Sequence, residues 1–387
     1  MTMTNHNEDR IFTPGYLHVG KPNIGNRADI LRRINGVLDT HRLTNHGPLV
    51  RELEQRIADY HQVKHCVATC NGTVALGMAL RALGITGEAI VPSFTFVATA
   101  HALLWQGIKP VFCDIDPVTA NLDPNQVERL ITAKTTGIIG VHLWGRPCAP
   151  NDLTHIARQR GLKLVFDAAH AFGCSYQGRM IGSFGDAEVL SFHATKVFNT
   201  AEGGAVLTNN SELADRLRYI RNFGFAGYDN VTQLGVNGKM NELCAALGLA
   251  NLEDIETFIA CNQRNYLEYR SLIGNLTGLE LLAYNSAEKN NWQYVIAMID
   301  EKRSRVSRDD LVALLHRHRI LARRYFWPGC HRMEPYRTLF PHAGERLKQT
   351  ETIADKVIVL PTGSGVNEAD IHRICGIIAA AVTKTDT

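Results

Sequence analysis

The sequence predicts an α/β protein: a mostly parallel sheet flanked by helices, with a smaller α+β domain at the C-terminal end. Three observations carry this expectation. Five short apolar runs, Cys66–Thr69, Ala89–Pro92, Val111–Asp114, Gly137–Val141 and Leu164–Asp167, alternate with helical patterns. That alternation is the mark of βαβ units with right-handed crossovers. The chain has 387 residues, 45% of them hydrophobic, enough for one large core and an appendage. Beyond residue 188 the alternation stops, and strands and helices mix in a different order.

Taken in order, residues 1–30 read as an extended arm, because Pro14, Gly15, Gly20, Pro22 and Gly25 break any periodicity. Helices are predicted over Asp29–Asp39 and Pro48–His61, then over Val74–Leu83 and Val97–Trp105 between the apolar runs. Glu188–His193 and Gly204–Thr208 read as two further strands with a polar loop between them. A long helical region is predicted from about Asn241 to Ile273, polar on one side, with Leu243, Leu247, Leu252 and Ile255 among its apolar positions. The remainder carries strands at Trp292–Ile299 and Val357–Leu360 and helices at Arg308–His316 and Glu368–Ala381. The expected division is an arm over 1–30, a large domain over 31–250 and a small domain over 251–387.

Charge and composition exclude several classes. The 41 basic residues nearly balance the 38 acidic ones, and no basic run exceeds short pieces such as Arg323-Arg324. A nucleic-acid footprint is therefore not expected. No apolar stretch approaches the ~20 residues of a membrane span. The start at Met1–Arg10 is polar and acidic, unlike a signal peptide, so a cytoplasmic location is expected. Nine cysteines without a tight framework fit reduced thiols. His61, His65, Cys66 and Cys70 cluster in sequence, but a strand between the cysteines would separate them by ~13 Å, too far to share one ion. No metal is expected.

Three constellations carry chemistry. Thr69-Cys-Asn-Gly-Thr73 follows a strand and opens a helix. Free backbone N–H groups and the positive end of the helix dipole make such a turn a phosphate cup, although an ordinary capped βα turn carries the same residues. Neither a dinucleotide nor a nucleoside-triphosphate glycine motif is present there. Asp167 ends an apolar strand and precedes Ala-Ala-His170; a carboxylate in that place needs a cationic partner, or else caps the next turn. Lys196 sits in Ser191-Phe-His-Ala-Thr-Lys among apolar and small residues, a setting that lowers an amine pKa and favours Schiff-base chemistry. Together these meet the needs of pyridoxal phosphate (PLP): a phosphate anchor, a carboxylate for the pyridinium nitrogen and an amine for the aldehyde. Ser93-Phe-Thr-Phe96 offers an aromatic cover for the ring, with Phe94 or Phe96 open to a simple core role instead.

At this point the sequence resembles the fold-type I, PLP-dependent sugar aminotransferases of the DegT/StrS family. The matching segments include Leu43-Thr-Asn-His-Gly-Pro48, Cys70-Asn-Gly-Thr73, Val91-Pro-Ser-Phe-Thr-Phe96, Asp114-Ile-Asp116, Val141-His-Leu-Trp-Gly145, Asp167-Ala-Ala-His170, Ser191-Phe-His-Ala-Thr-Lys196, Gly203-Gly204 and Gly235–Glu242. Within the family it is most similar to 4-aminotransferases acting on dTDP-4-keto-6-deoxyglucose. The resemblance implies that Lys196 holds PLP and moves the proton, and that Asp167 keeps the ring nitrogen protonated. It implies that Gly72, Thr73 and Ser191 hold the phosphate, Phe96 covers the ring and His170 lies beside it. Asn237 matches a position that reaches the phosphate of the neighbouring subunit, which makes a homodimer with shared sites part of the expectation.

The implied reaction moves an amino group from L-glutamate to C4 of a nucleotide-linked 4-keto-6-deoxy sugar. A branch of the family that removes a sugar hydroxyl carries His in place of the lysine; here the residue is Lys196. Lys239, Arg324, Tyr325 and His331 are candidates for the nucleotide or its diphosphate, and a packed loop with solvated arginines accounts for the same residues. The open alternatives are a 3-keto sugar, another nucleotide carrier, a cyclitol ketone, or a noncatalytic regulator of the same fold.

Overall fold

The computed structural model describes residues 15–383. Met1–Arg10 and the first part of the predicted arm lie outside the described residues. In chain order the strands are β1 Leu17–His18, β2 His65–Thr69, β3 Glu88–Pro92, β4 Lys109–Cys113, β5 Thr135–Val141, β6 Lys163–Asp167 and β7 Ser175–Tyr176. They continue as β8 Arg179–Met180, β9 Ala187–Ser191, β10 Gly204–Thr208, β11 Leu279–Leu281, β12 Val295–Ile299, β13 Ile320–Leu321 and β14 Val357–Leu360.

A seven-stranded sheet runs β2-β10-β9-β6-β5-β3-β4. Only β10 is antiparallel to its neighbours, so the sheet is mostly parallel, as the alternation of strands and helices predicts. Successive residues of one strand feed opposite faces. Cys66 and Ala68 of β2 join one apolar cluster, with Leu53 and Ile57 of the helix Pro48–His61, while Val67 joins a second with Leu76 and Ala79 of the helix Gly72–Ala82. Burial on both faces explains why these strands read as continuous apolar runs. A three-stranded antiparallel sheet, β11-β12-β14, packs against Tyr269 and Ile273 of the helix Ile255–Ile273 and Ile374 and Ile378 of the helix Glu368–Val382.

The structure sharpens the expectation in three places. The helical region from Asn241 to Ile273 consists of two helices, Glu242–Glu253 and Ile255–Ile273. Between them Asp254 leaves helical geometry, and its carboxylate accepts the Asn26 N–H at 2.9 Å. The strand expected from Trp292 begins at Val295, since Trp292 takes a left-handed φ of 53° and the side chains of Asn291 and Gln293 serve other loops. The described part of the arm is extended and anchored: β1 pairs parallel with β13, and Asn23 is buried.

Candidate active site

The C-terminal ends of β2, β3, β6 and β9 lie along one edge of the large sheet, where open α/β sheets bind ligands. After β2, Asn71 caps the helix Gly72–Ala82 by accepting the Val74 N–H at 2.8 Å. That cap leaves the N–H groups of Gly72 and Thr73 with no acceptor among the described residues. The register brings Ser191 to this turn, because Gly204 of β10 pairs with both Thr69 and Ser191. Gly204 is required for that approach: a Cβ there would lie 2.6 Å from the Gly72 nitrogen. Across the turn, a Cβ on Gly72 would lie 3.0 Å from the Ser191 Cβ, so the hydroxyl and the two free amides face one small space.

Asp167 ends β6 and is buried. Its Oδ2 accepts the Thr99 hydroxyl at 2.8 Å and its Oδ1 accepts the Ala169 N–H at 3.1 Å. Burial raises its pKa above the usual carboxylate range, opposed by these two hydrogen bonds and by the charge of Lys196. Lys196 lies in the loop after β9 and is half-buried. Desolvation lowers its pKa to about 8, against the pull of Asp167 in the other direction.

His170 is buried, and its Nδ1 accepts the Trp144 N–H at 3.2 Å, so the neutral ring carries its proton on Nε2. Burial and the nearby Lys196 charge hold its pKa well below the usual imidazole value. Its ring stacks on Phe326 at 5.7 Å. Of the two candidate covers, Phe94 is core against Trp144, whereas Phe96 is 56% exposed at the N-cap of the helix Val97–Trp105.

The structure thus gathers Gly72, Thr73, Ser191, Lys196, Asp167, His170 and Phe96 at one edge, although they span 125 positions from Gly72 to Lys196 in the sequence. Asn237 is exposed, in a loop pinned to the cup by the Cys70 N–H donating to Gly238 O at 2.8 Å. Lys239 donates to Asn222 Oδ1 at 2.9 Å and covers the Phe223 ring. Arg324 pairs with Asp309 at 2.8 Å and covers Trp327, and Tyr325 stacks on Phe326.

His331 sits where the packed-loop alternative puts it. It is buried, with Nδ1 bonded to Ser93 Oγ at 2.7 Å and Nε2 to Glu351 at 3.2 Å, so neither ring nitrogen is left for a ligand. The motif residue Asp114 also serves packing: it accepts the N–H groups of Gln349 and Thr350 and caps the helix Lys348–Ala354. His61 and His65 of the cysteine cluster turn to Ile181 O and Ser211 Oγ. Thr99, Asn291 and Gln293 touch the site machinery yet carried no local motif; only their positions beside predicted strands and helices could have drawn attention.

A capped anion cup, a buried strand-end carboxylate and an amine of lowered pKa are the groups that a PLP-dependent enzyme needs on such a sheet. The chain belongs to the DegT/DnrJ/EryC1/StrS aminotransferase family, whose sequence profile matches residues 25–379. It is 37% identical over 364 residues to a dTDP-4-amino-4,6-dideoxy-D-glucose transaminase of Shigella dysenteriae, covering 94% of this chain and 98% of that one. It is 36% identical to a GDP-perosamine synthase of Caulobacter vibrioides, over 87% of this chain and 91% of the relative. Among solved structures, that of DesI in the presence of its TDP-sugar product superposes with a TM-score of 0.91 at 47% identity, covering 94% of this chain and 92% of DesI. Among the described residues, no helix is long and apolar enough to cross a membrane.

Proposed function

We propose that this enzyme transfers the amino group of L-glutamate to C4 of dTDP-4-keto-6-deoxy-D-glucose, giving dTDP-4-amino-4,6-dideoxy-D-glucose, with PLP as cofactor. The observation that carries the reading is the desolvated Lys196 amine, lowered to about 8, within the electrostatic reach of a buried Asp167 on the sheet edge that also holds the unpaired amides of Gly72 and Thr73. The donor set fits the cofactor. Gly72 N–H, Thr73 N–H and the Ser191 hydroxyl offer protons to a phosphate dianion. Asp167 is held up by desolvation until a cation such as a pyridinium N–H meets it. When bound, PLP supplies an electron sink for negative charge at the carbon bearing the transferred nitrogen.

The chain's own groups do the rest. Asp167, oriented by Thr99 and Ala169, would keep the ring nitrogen protonated. Lys196, near neutrality, can hold or release a proton at Nζ in either direction of the transfer. His170 is locked as a neutral imidazole by the Trp144 amide and would present its Nε2–H beside the ring. Phe96 would cover the ring face and exclude water.

A homodimer is part of the same proposal, with Asn237 completing the partner's phosphate site. Its support is the apolar surface next to the cup. Trp105 is 87% exposed and Leu234 68%, and together with Val74, Met78 and Val236 they line an open cavity of about 400 Å³. The sugar and carrier follow the relatives: the dTDP-sugar transaminases and the TDP-sugar complex of DesI favour dTDP and C4. The test is a transamination panel of dTDP- and GDP-linked 4-keto sugars and 3-keto sugars, with the aminated carbon located by NMR. An amine at C3, or turnover of the GDP-linked sugar alone, refutes the assignment.

A further inference from the structure

We propose that Gln293, braced by Asn291, is a positioning residue that fixes the Lys196 backbone relative to the loop bearing Asp167 and His170. The proposal rests on the reading of Lys196 as the reacting amine. Gln293 is buried and brackets that lysine from both sides. Its Oε1 accepts the Val197 N–H at 3.0 Å, and its Nε2 donates to Thr195 O at 3.4 Å. The backbone N–H of Gln293 donates in turn to Asn291 Oδ1 at 3.1 Å. Asn291, fully buried, donates through Nδ2 to His170 O at 2.8 Å and to Phe172 O at 3.0 Å. One step further on, the Tyr294 ring packs edge-on against His170 at 4.9 Å.

This short segment therefore joins two loops that have both left the sheet. β6 and β9 pair only over Val165–Asp167 and Ala187–Val189, short of His170 and of Lys196. Within its own loop Lys196 is held by a single turn, its N–H donating to His193 O at 2.9 Å. Asn23 of the arm adds one more anchor, donating to Val197 O at 3.0 Å. The close fit also explains a glycine: a Cβ on Gly145 would lie 3.1 Å from both Asn291 Oδ1 and His170 O. Side-chain amides suit this task, since each offers a donor and an acceptor to main chain that has no strand partner.

The test uses Gln293→Met, which keeps the shape and removes both bonds, and Gln293→Glu, which keeps the acceptor for Val197 and loses the donor to Thr195. In the cofactor-free full chain, amide exchange across residues 194–198 should quicken by about tenfold in Gln293→Met, with the rest of the chain unchanged. With PLP, kcat should fall by about 100-fold while KM for the sugar stays within about twofold, and Gln293→Glu should recover part of the loss. Unchanged kcat in a folded Gln293→Met, or faster exchange spread evenly over the chain, overturns the proposal. If Gln293→Met does not fold, Gln293→Glu is judged by the same two criteria. A wild-type chain that forms no visible absorbance with PLP defeats the reading of Lys196 instead, and the exchange result still decides the clamp.

Discussion

Replacing Lys196 with Met should stabilise the cofactor-free chain, and the gain should fade as pH rises. Lys196 titrates at about 8 in the folded chain against an ordinary 10.5. The folded state therefore binds fewer protons than the unfolded one between those values. Below pH 8 both states carry the charge and folding meets the whole cost of desolvating it. Above 10.5 neither state does, and the cost is gone. A drop from 10.5 to about 8 corresponds to about 3 kcal/mol. Part of the Lys196 side chain remains exposed, so solvent screening brings the expected gain to about 2 kcal/mol at pH 7. By pH 9.5 the linkage leaves about two-fifths of that, below ~1 kcal/mol. Met fills nearly the same volume, which keeps packing out of the comparison. Asp167 and His170 are the titratable groups that feel this lysine, and both remain in the variant. Urea unfolding of wild type and Lys196→Met at pH 7 and pH 9.5 gives the two differences. A Met variant less stable than wild type at pH 7, or a gain that does not shrink with pH, would refute the electrostatic reading of this site. The same variant should show no amino transfer.

Asp167→Asn leaves Thr99 and Ala169 facing an uncharged amide; turnover should fall by about a thousandfold while PLP still binds, measured by steady-state rates and absorbance. Gly72→Ala sets a methyl 3.0 Å from the Ser191 Cβ. Displacement of that magnitude should weaken PLP binding by about tenfold or more, read by titration of the cofactor-free chain. Thr99→Val strips the donor from a buried carboxylate oxygen and should destabilise the chain by about 2 kcal/mol at pH 7, with a smaller loss under acid conditions where Asp167 is protonated. Trp105→Asp places a charge on the exposed apolar face and should convert the proposed dimer to monomer in sedimentation; a dimer of unchanged stability would remove that face from the interface.

The family resemblance and the packing tell different parts of the same story. The matched glycine Gly204 is explained by approach distance: a Cβ there would meet the Gly72 amide nitrogen. Asp114 looked like part of a functional signature, yet its carboxylate is spent on two backbone N–H groups of the helix Lys348–Ala354. Several matched motif residues are therefore architectural, and resemblance alone does not separate them from those that meet the cofactor.

The sequence by itself determined the alternating large sheet, the capped turn at Asn71–Thr73, the strand-end Asp167 and the isolated Lys196. Each of these depends on periodicity or turn chemistry spread over about ten residues, and such signals survive without knowledge of the fold. Tertiary structure decided what lies far apart in the chain: Thr99 on Asp167 across 68 positions, Gln293 on Val197 across 96, and the burial of His331 against Ser93 across 238. It also decided the break at Asp254, which a continuous apolar pattern hid and an arm contact imposed. Hydrogen bonds to main chain have no periodicity in sequence. Which loop meets which side chain is set by strand order and register, and only the assembled sheet fixes those.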